Sequence, residues 1–301
     1  MIKINKISPD IQWALGLIET DGYIGYNLNN GKHGWLFIVK VSLKSYNARS
    51  IYKLKSIFGI GKIHRDSEDM VTWKVTRFDQ IKEIMLPIFE QYELRGIKAH
   101  EVAIMKEALD IYESNITREE KTVILKELKS KSTLLCKSHN KNITPFWQKH
   151  LNIKDKDAVY SVEDYKNLVP SQKILTELLD PDWLAGFIEG DGSLQINNRL
   201  QNVFELGQKY NIFLVLCIHK YFGITADIKI RPDLSYTMFT TKHPNSLELI
   251  EKTLTGRMRG IKSFELRLWK YSRATKLKSK KEKAKILLNK IWSRVISIDK
   301  E

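Results

Sequence analysis

Two cysteines, Cys136 and Cys217, are all that 301 residues contain. A disulfide framework or a cysteine zinc site is therefore excluded, and a reducing compartment fits best. No run approaches the roughly 20 uninterrupted apolar residues that a membrane span requires, so no membrane partner is expected. The opening "MIKINKISPD" lacks the apolar core of a signal peptide and the Arg/Ser richness of a transit peptide. The seven histidines show no paired metal-ligand spacing. Acidic residues are also in deficit, with thirty-five against fifty Lys and Arg, a net charge of +15. A field of that sign favours a polyanionic partner and salt-sensitive binding. The fifty basic residues are 38 Lys and 12 Arg. With the many Ile and Asn, that bias suggests AT-rich coding, as in organellar genomes.

What is present is a duplication. "SPDIQWALGLIETDGYIGY" (8–26) resembles "DPDWLAGFIEGDGSLQI" (180–196), placing Asp21 and Asp191 at an offset of 170. Tyr46-Asn47, Phe58-Gly59-Ile60 and "GIKAHE" (96–101) recur at an offset of 164 as Tyr210-Asn211, Phe222-Gly223-Ile224 and "GIKSFE" (260–265). Ordered blocks at matched spacing mark an internal repeat. The six-residue change of offset falls between the acidic motif and Tyr-Asn, where a longer first hairpin around "NLNNGKHGW" (27–35) accounts for it.

Each half reads as αββαββα. Asp10 and Asp182, each just after a proline, are the expected N-caps of the first helix, and Gly22 and Gly192 its C-terminal caps. "WLFIVKVSL" alternates, with Trp35, Phe37, Val39 and Val41 on one face and Lys40 and Ser42 on the other. A sheet of that kind is half buried and half open to a ligand. Helices are expected from about 47 to 58 and 211 to 222, each stopped by glycine, and again from about 100 and 263. The expected organisation is a domain over residues 1–136, a polar connection over 137–171 and a second domain over 172–301. Phe146, Trp147 and Tyr160 require cover within the connection. The basic run 276–288 enters a helix, and either a solvated face or phosphate contact would explain it.

The first helix of each half ends in acids, at the end of the dipole that disfavours them. Ala14 and Gly16, like Ala185 and Gly186, lack the bulk that keeps helix axes apart. Two such helices can pack backbone to backbone along a pseudo-twofold axis, bringing Asp21 and Asp191 together at one end. Paired carboxylates there call for a bound cation. Oxygen ligands without His or Cys indicate a hard ion, Mg²⁺ foremost, with Mn²⁺ or Ca²⁺ as substitutes. A cation, a twofold pair of acids and a basic sheet face together suggest phosphodiester hydrolysis on double-stranded DNA, one acid per strand.

"ALGLIETDG" (14–22) and "LAGFIEGDG" (184–192) resemble the LAGLIDADG motif of the homing endonucleases, in the arrangement of its single-chain, two-motif members. The resemblance implies an α+β fold in which two pseudo-symmetric αββαββα domains each give an antiparallel sheet to a DNA-binding saddle. It implies a monomer that makes metal-dependent double-strand breaks in a long asymmetric target, leaving short 3′ overhangs. Asp21 and Asp191 take the metal-binding position, and Glu19 and Glu189 a structural one. Lys98 and Lys262 are the candidates for the family's lysine and Gln208 for its glutamine, whose first-half counterpart is Leu43 or Lys44. Leu15 departs mildly from the motif, in the helix interface. Lys40, Ser42, Lys44, Lys74, Arg77 and Lys209 are the candidate DNA contacts. Tyr46, Asn47, Tyr210 and Asn211 read better as helix-start and packing residues than as base readers. Group I intron RNA is a second candidate partner, because maturases share this fold. A degenerate DNA-binding regulator is disfavoured by the intact acids. An organellar, most simply mitochondrial, location follows from the family and the coding bias.

Overall fold

The polypeptide is described by a computed structural model covering residues 8–29, 34–137, 143–154, 160–231 and 235–297. Helix α1 (Pro9–Asp21) is polar only at its ends, with Gln12 through Glu19 all buried. Its twin, α10 (Pro181–Asp191), buries Trp183 through Glu189. The N-caps are Ser8 and Asp180, two residues earlier than the sequence pattern indicates. Pro9 and Pro181 instead occupy the first helical position, where a missing N–H costs nothing. Asp180 Oδ1 accepts from the N–H groups of Asp182 (2.8 Å) and Trp183 (3.1 Å). Asp10 is left free to pair with Lys53 (2.8 Å) and, across the molecule, Arg259 (3.3 Å). Gly22 and Gly192 close the helices with extended rather than left-handed backbone, so each chain passes straight into a strand.

In the first half β1 (Gly22–Asn29) and β2 (Gly34–Lys44) lead to α2 (Ala48–Phe58). Next come β3 (Lys62–Ser67), β4 (Met70–Val75), α3 (Phe78–Gln80), a π turn over Ile81–Met85, α4 (Leu86–Tyr92) and α5 (Lys98–Glu113). Between α5 and α10 lie α6 (Arg118–Lys137), α7 (Pro145–His150), α8 (Val162–Leu168) and α9 (Gln172–Leu178), of which α7 and α8 fall within 137–171. After α10, the second half repeats the scheme with β5 (Gly192–Ile196), β6 (Asn202–Lys209), α11 (Ile212–Tyr221), β7 (Lys229–Arg231) and β8 (Tyr236–Thr241). It ends with α12 (Pro244–Leu254), α13 (Lys262–Ala274) and α14 (Lys278–Ser297). The sheets are antiparallel and equivalent, ordered β1-β2-β4-β3 and β5-β6-β8-β7. Strand β2 keeps the expected alternation, with Phe37, Val39 and Val41 buried and Lys40, Ser42 and Lys44 on the open face. The described residues of the connection are folded onto the core. Trp147 is fully buried with its ring centroid 5.3 Å from that of Phe213, and Tyr165 packs on Phe213 from α8.

α1 and α10 pack backbone to backbone at their glycines. A Cβ on Gly16 would stand 2.7 Å from Phe187 N, and one on Gly186 would stand 2.7 Å from the Trp13 carbonyl carbon. Only hydrogen fits between these backbones, so the twin glycines fix where the two halves meet.

Candidate active site

The close crossing of α1 and α10 brings their C-terminal ends together. Asp21 and Asp191 are the last residues of the two helices. Asp21 Oδ2 lies 2.6 Å from where a Cβ of Gly190 would be, so the motif of the second half leaves room for the acid of the first. Burial raises the Asp21 carboxyl above its ordinary value, while Lys262 and Lys98 pull it down. Asp191 is pushed up to about 7, first by burial and then by the neighbouring charge of Asp21. Two carboxylates facing each other cannot both ionise without a compensating charge.

The remaining repeated blocks converge on the same place. Glu19, buried at 2% exposure, accepts from the backbone N–H groups of Arg95 (2.6 Å) and Gly96, and from Trp183 Nε1 (3.1 Å). Glu189 accepts from Arg259 N (3.0 Å) and Lys262 N (3.2 Å). The motif glutamates thus cap the starts of α5 and α13, and burial raises both carboxyls. The asparagines cap across the halves. Asn211 Oδ1 accepts from Ile97 N (2.8 Å), and Asn47 Oδ1 accepts from Ile261 N (3.1 Å). Gly96 and Gly260 are required by these caps. A Cβ on Gly96 would stand 3.0 Å from Asn211 Oδ1, and one on Gly260 2.6 Å from Asn47 Oδ1. The structural reading of Tyr-Asn holds for the asparagines, but their partner is the other half of the chain.

These caps place Lys98 and Lys262 as the first residues of α5 and α13, beside the acids. Lys262 Nζ donates to the carbonyls of Glu189 (2.6 Å) and Gly190 (3.0 Å), neutralising the negative end of α10. Lys98 Nζ instead lies 3.7 Å from Glu101. Gln208 Nε2 donates to Asp191 Oδ2, and Gln208 Oε1 accepts from Asn211 Nδ2 (2.9 Å). A single relay therefore runs from the start of α5 through Asn211 and Gln208 to the acid. Among the described residues the first half has no such relay. Gly22 faces Val41 and Gly192 faces Leu206, so the counterpart of Gln208 is Leu43, not Lys44. Asp21 is held instead by Thr20 Oγ1 (3.2 Å). The register also divides the six-residue offset change. Five residues belong to the longer first hairpin, whose turn at 30–33 lies outside the described residues, and one falls just after β2.

A cleft of about 430 Å³ opens beside Asp191, lined among others by Thr20, Lys98, Gln208, Tyr210 and Tyr236. Tyr236 carries no sequence signal; only its pairing with Lys209 on β6 brings it there. On the open face of the first sheet, Tyr23, Lys40, Lys74 and Lys62 form one cross-strand row. Lys40 Nζ stands 5.7 Å from the Tyr23 ring centroid. Like charges side by side on a sheet repel, so the row costs stability unless a polyanion covers it. Tyr23 and Lys62 are the members that alternation in β2 alone does not disclose. Ser42 accepts from Thr72 Oγ1 (2.7 Å), and Lys44 ends the same face. Arg77 lies beyond β4, engaged with Asp79 (2.6 and 3.1 Å). Lys209 is exposed at the end of β6, in a row with Tyr236 and Arg231.

Among the described residues no group of three or more His, Cys, Asp or Glu could hold a metal ion. The donor set is instead two carboxylates at two helix ends. It suits a hard ion that keeps several waters and takes one or two carboxylates from protein.

Comparison with known proteins agrees with this layout. The LAGLIDADG endonuclease family matches residues 14–109. A probable intron-encoded endonuclease, Cox1-I1b of Schizosaccharomyces pombe, is 26% identical over 275 residues, covering 87% of this chain. The chain spans 63% of the length of that relative. The probable intron-encoded endonuclease aI3 of Dictyostelium discoideum is 22% identical, covering 83% of this chain and 85% of the relative. In fold, the chain is similar to I-SmaMI bound to an uncleaved DNA target with calcium ions (TM-score 0.63, 20% identity, covering 95% of this chain and 98% of that one). It is likewise similar to the homing endonuclease I-GzeII in complex with its DNA target (TM-score 0.67, 16% identity, covering 95% and 97%). With both motifs in place, each at the end of one of two mutually packed helices, the chain is similar to the single-chain, two-motif LAGLIDADG endonucleases, and its residues 14–109 match that family's model.

Proposed function

We propose that the protein is a site-specific homing endonuclease that hydrolyses one phosphodiester bond in each strand of a long, asymmetric DNA duplex, leaving short 3′ overhangs. The observation that carries this reading is the pair of carboxylates, Asp21 and Asp191, held together at the ends of twin helices between two sheets with an open polar face. A divalent cation offsets the mutual repulsion of that pair, and the basic row on the first sheet supplies a surface that matches phosphates. The endonuclease relatives and the DNA complexes of the similar folds support the same reading.

In this account residues 1–136 and 172–301 each serve one strand, within a monomer. Asp21 and Asp191 would hold the cation, Mg²⁺ in the working enzyme. When bound, that ion supplies Lewis-acid stabilisation of phosphate charge and lowers the pKa of water. Gln208 orients Asp191 and, with Asn211, keeps its carboxylate facing the phosphate. Lys262 and Lys98 bring positive charge to where the phosphoryl oxygens gain negative charge. Lys40, Ser42, Lys44, Lys74 and Lys209 contact the duplex along the sheets, phosphate contacts setting register and base contacts sequence. The intron-encoded relatives and the coding bias support an organellar, mitochondrial setting, where group I intron RNA would be a further partner.

Cleavage selection from a randomised duplex library, with Mg²⁺ against EDTA, tests the reading. Double-strand cuts with short 3′ overhangs, in Mg²⁺ only, are expected. Tight duplex binding without any cut would overturn it.

A further inference from the structure

The repeated Gly-Ile-Lys block extends three residues beyond its lysine to a glutamate, Glu101 in one half and Glu265 in the other. No step so far uses either. Both lie in the first turn of their helices, α5 and α13, on the side facing the interior. Glu265 is 4% exposed, and Glu101 lines the cleft beside Asp191. Each keeps one carboxylate oxygen buried with no hydrogen-bond partner among the described residues. Burial raises both carboxyls, Glu265 to about 7. A buried carboxylate oxygen without a hydrogen bond is costly, and an apolar residue would pack there at less expense. The chain nevertheless has one in both halves, at the same distance from the same lysine.

The lysines themselves need an explanation. Lys98 and Lys262 are the first residues of their helices, where the aligned peptide dipoles repel a cation. Their two ammonium groups also occupy different seats. Lys262 donates to the carbonyls of Glu189 and Gly190, whereas Lys98 sits 3.7 Å from Glu101, beyond hydrogen-bond reach but within ion-pair range. The Glu101 carboxylate, three residues on, is the ion-pair partner that holds the Lys98 ammonium over the helix start. Glu265 stands at the same position after Lys262, whose ammonium is held in addition by the two carbonyls.

Building on the endonuclease reading, we propose that Glu101 and Glu265 are positioning residues, each holding the ammonium of Lys98 or Lys262 beside the paired acids. They touch neither DNA nor cation and act through the lysine alone. Each therefore governs one strand.

The test follows each strand separately, using the target recovered by cleavage selection with a different label on each strand and saturating protein. Lys98→Ala identifies the strand that Lys98 serves. Glu101→Gln should slow that strand about tenfold, a loss worth about 1.4 kcal/mol, and leave the other strand and the DNA dissociation constant within about twofold. The double variant should be no slower than Lys98→Ala, since a residue acting through another adds nothing once its partner is gone. Glu265→Gln, paired with Lys262→Ala, should do the same on the opposite strand and serves as the independent second variant. Equal slowing of both strands, no slowing, or losses that multiply in the double variants would overturn the proposal. A wild type that cuts neither strand would overturn the endonuclease reading along with it. Wild-type cutting with an unaltered Glu101→Gln variant overturns only this inference.

Discussion

Replacing Gly186 by alanine tests the helix crossing on which everything else is built. The added Cβ would lie 2.7 Å from the Trp13 carbonyl carbon and 3.0 Å from Leu17 N, with the Trp13 carbonyl oxygen closer still. All three atoms are backbone of α1, so no side chain can turn aside. The helices must separate by about 1 Å or more to reach ordinary van der Waals contact, because the carbonyl oxygen is the closest of the three. Overpacking of this kind costs about 1–3 kcal/mol, and the rigid neighbours place Gly186→Ala at the upper end. A chain of this size should lose about 2–4 °C of melting temperature per kcal/mol, so a fall of roughly 6 °C or more is expected. The same separation moves Asp21 away from Asp191, and a displacement near 1 Å can cost about a hundredfold in rate. Thermal denaturation and strand cleavage would be measured beside Gly34→Ala. A Cβ on Gly34 would meet only the Tyr112 hydroxyl at 4.0 Å, so that control should stay within about 0.5 kcal/mol of wild type. If Gly186→Ala melts with the control and cuts at the wild-type rate, the helices do not pack as described.

Further outcomes follow from the asymmetry and the charges. Gln208→Leu should slow one strand by about tenfold while sparing the other, because it converts the Asp191 relay into the arrangement at Leu43. Leu43→Gln should narrow the difference between the strands, read from nick accumulation. In EDTA the melting temperature should fall as the pH rises from about 4 towards 8. The Asp191 carboxyl, raised from 3.8 to about 7, favours the folded state only while protonated, so its contribution is full below 3.8 and lost above about 7. Asp191→Asn should therefore melt higher than wild type at pH 8, with the gap closing near pH 4. Lys40→Ala and Lys74→Ala should each lower the slope of log affinity against log salt by about one.

Much of this architecture is legible in the chain because the duplication makes every signal appear twice. The small residues at 14, 16, 185 and 186 announce a close helix crossing, and alternation in β2 announces an open basic face. Local rules go astray at the helix starts, where Pro9 and Pro181 draw the caps to Asp10 and Asp182. The real caps precede the prolines, whose fixed φ and missing N–H suit the first helical position, so the cap is the residue before each proline and not the one after. Long-range partnerships leave no local trace. That Asn47 caps the helix at 261 and Asn211 the one at 97 depends on the crossing of the halves, which repeat spacing does not encode. The same applies to Tyr236, and to the choice between Leu43 and Lys44, which only strand register decides.

The most direct test of the central claim is strand-resolved cleavage by Asp21→Asn and Asp191→Asn in Mg²⁺. The account predicts that each variant loses the cut on a different strand and becomes a nicking enzyme on the other, or is silent where the shared cation is lost. Full double-strand cleavage by either variant would contradict it.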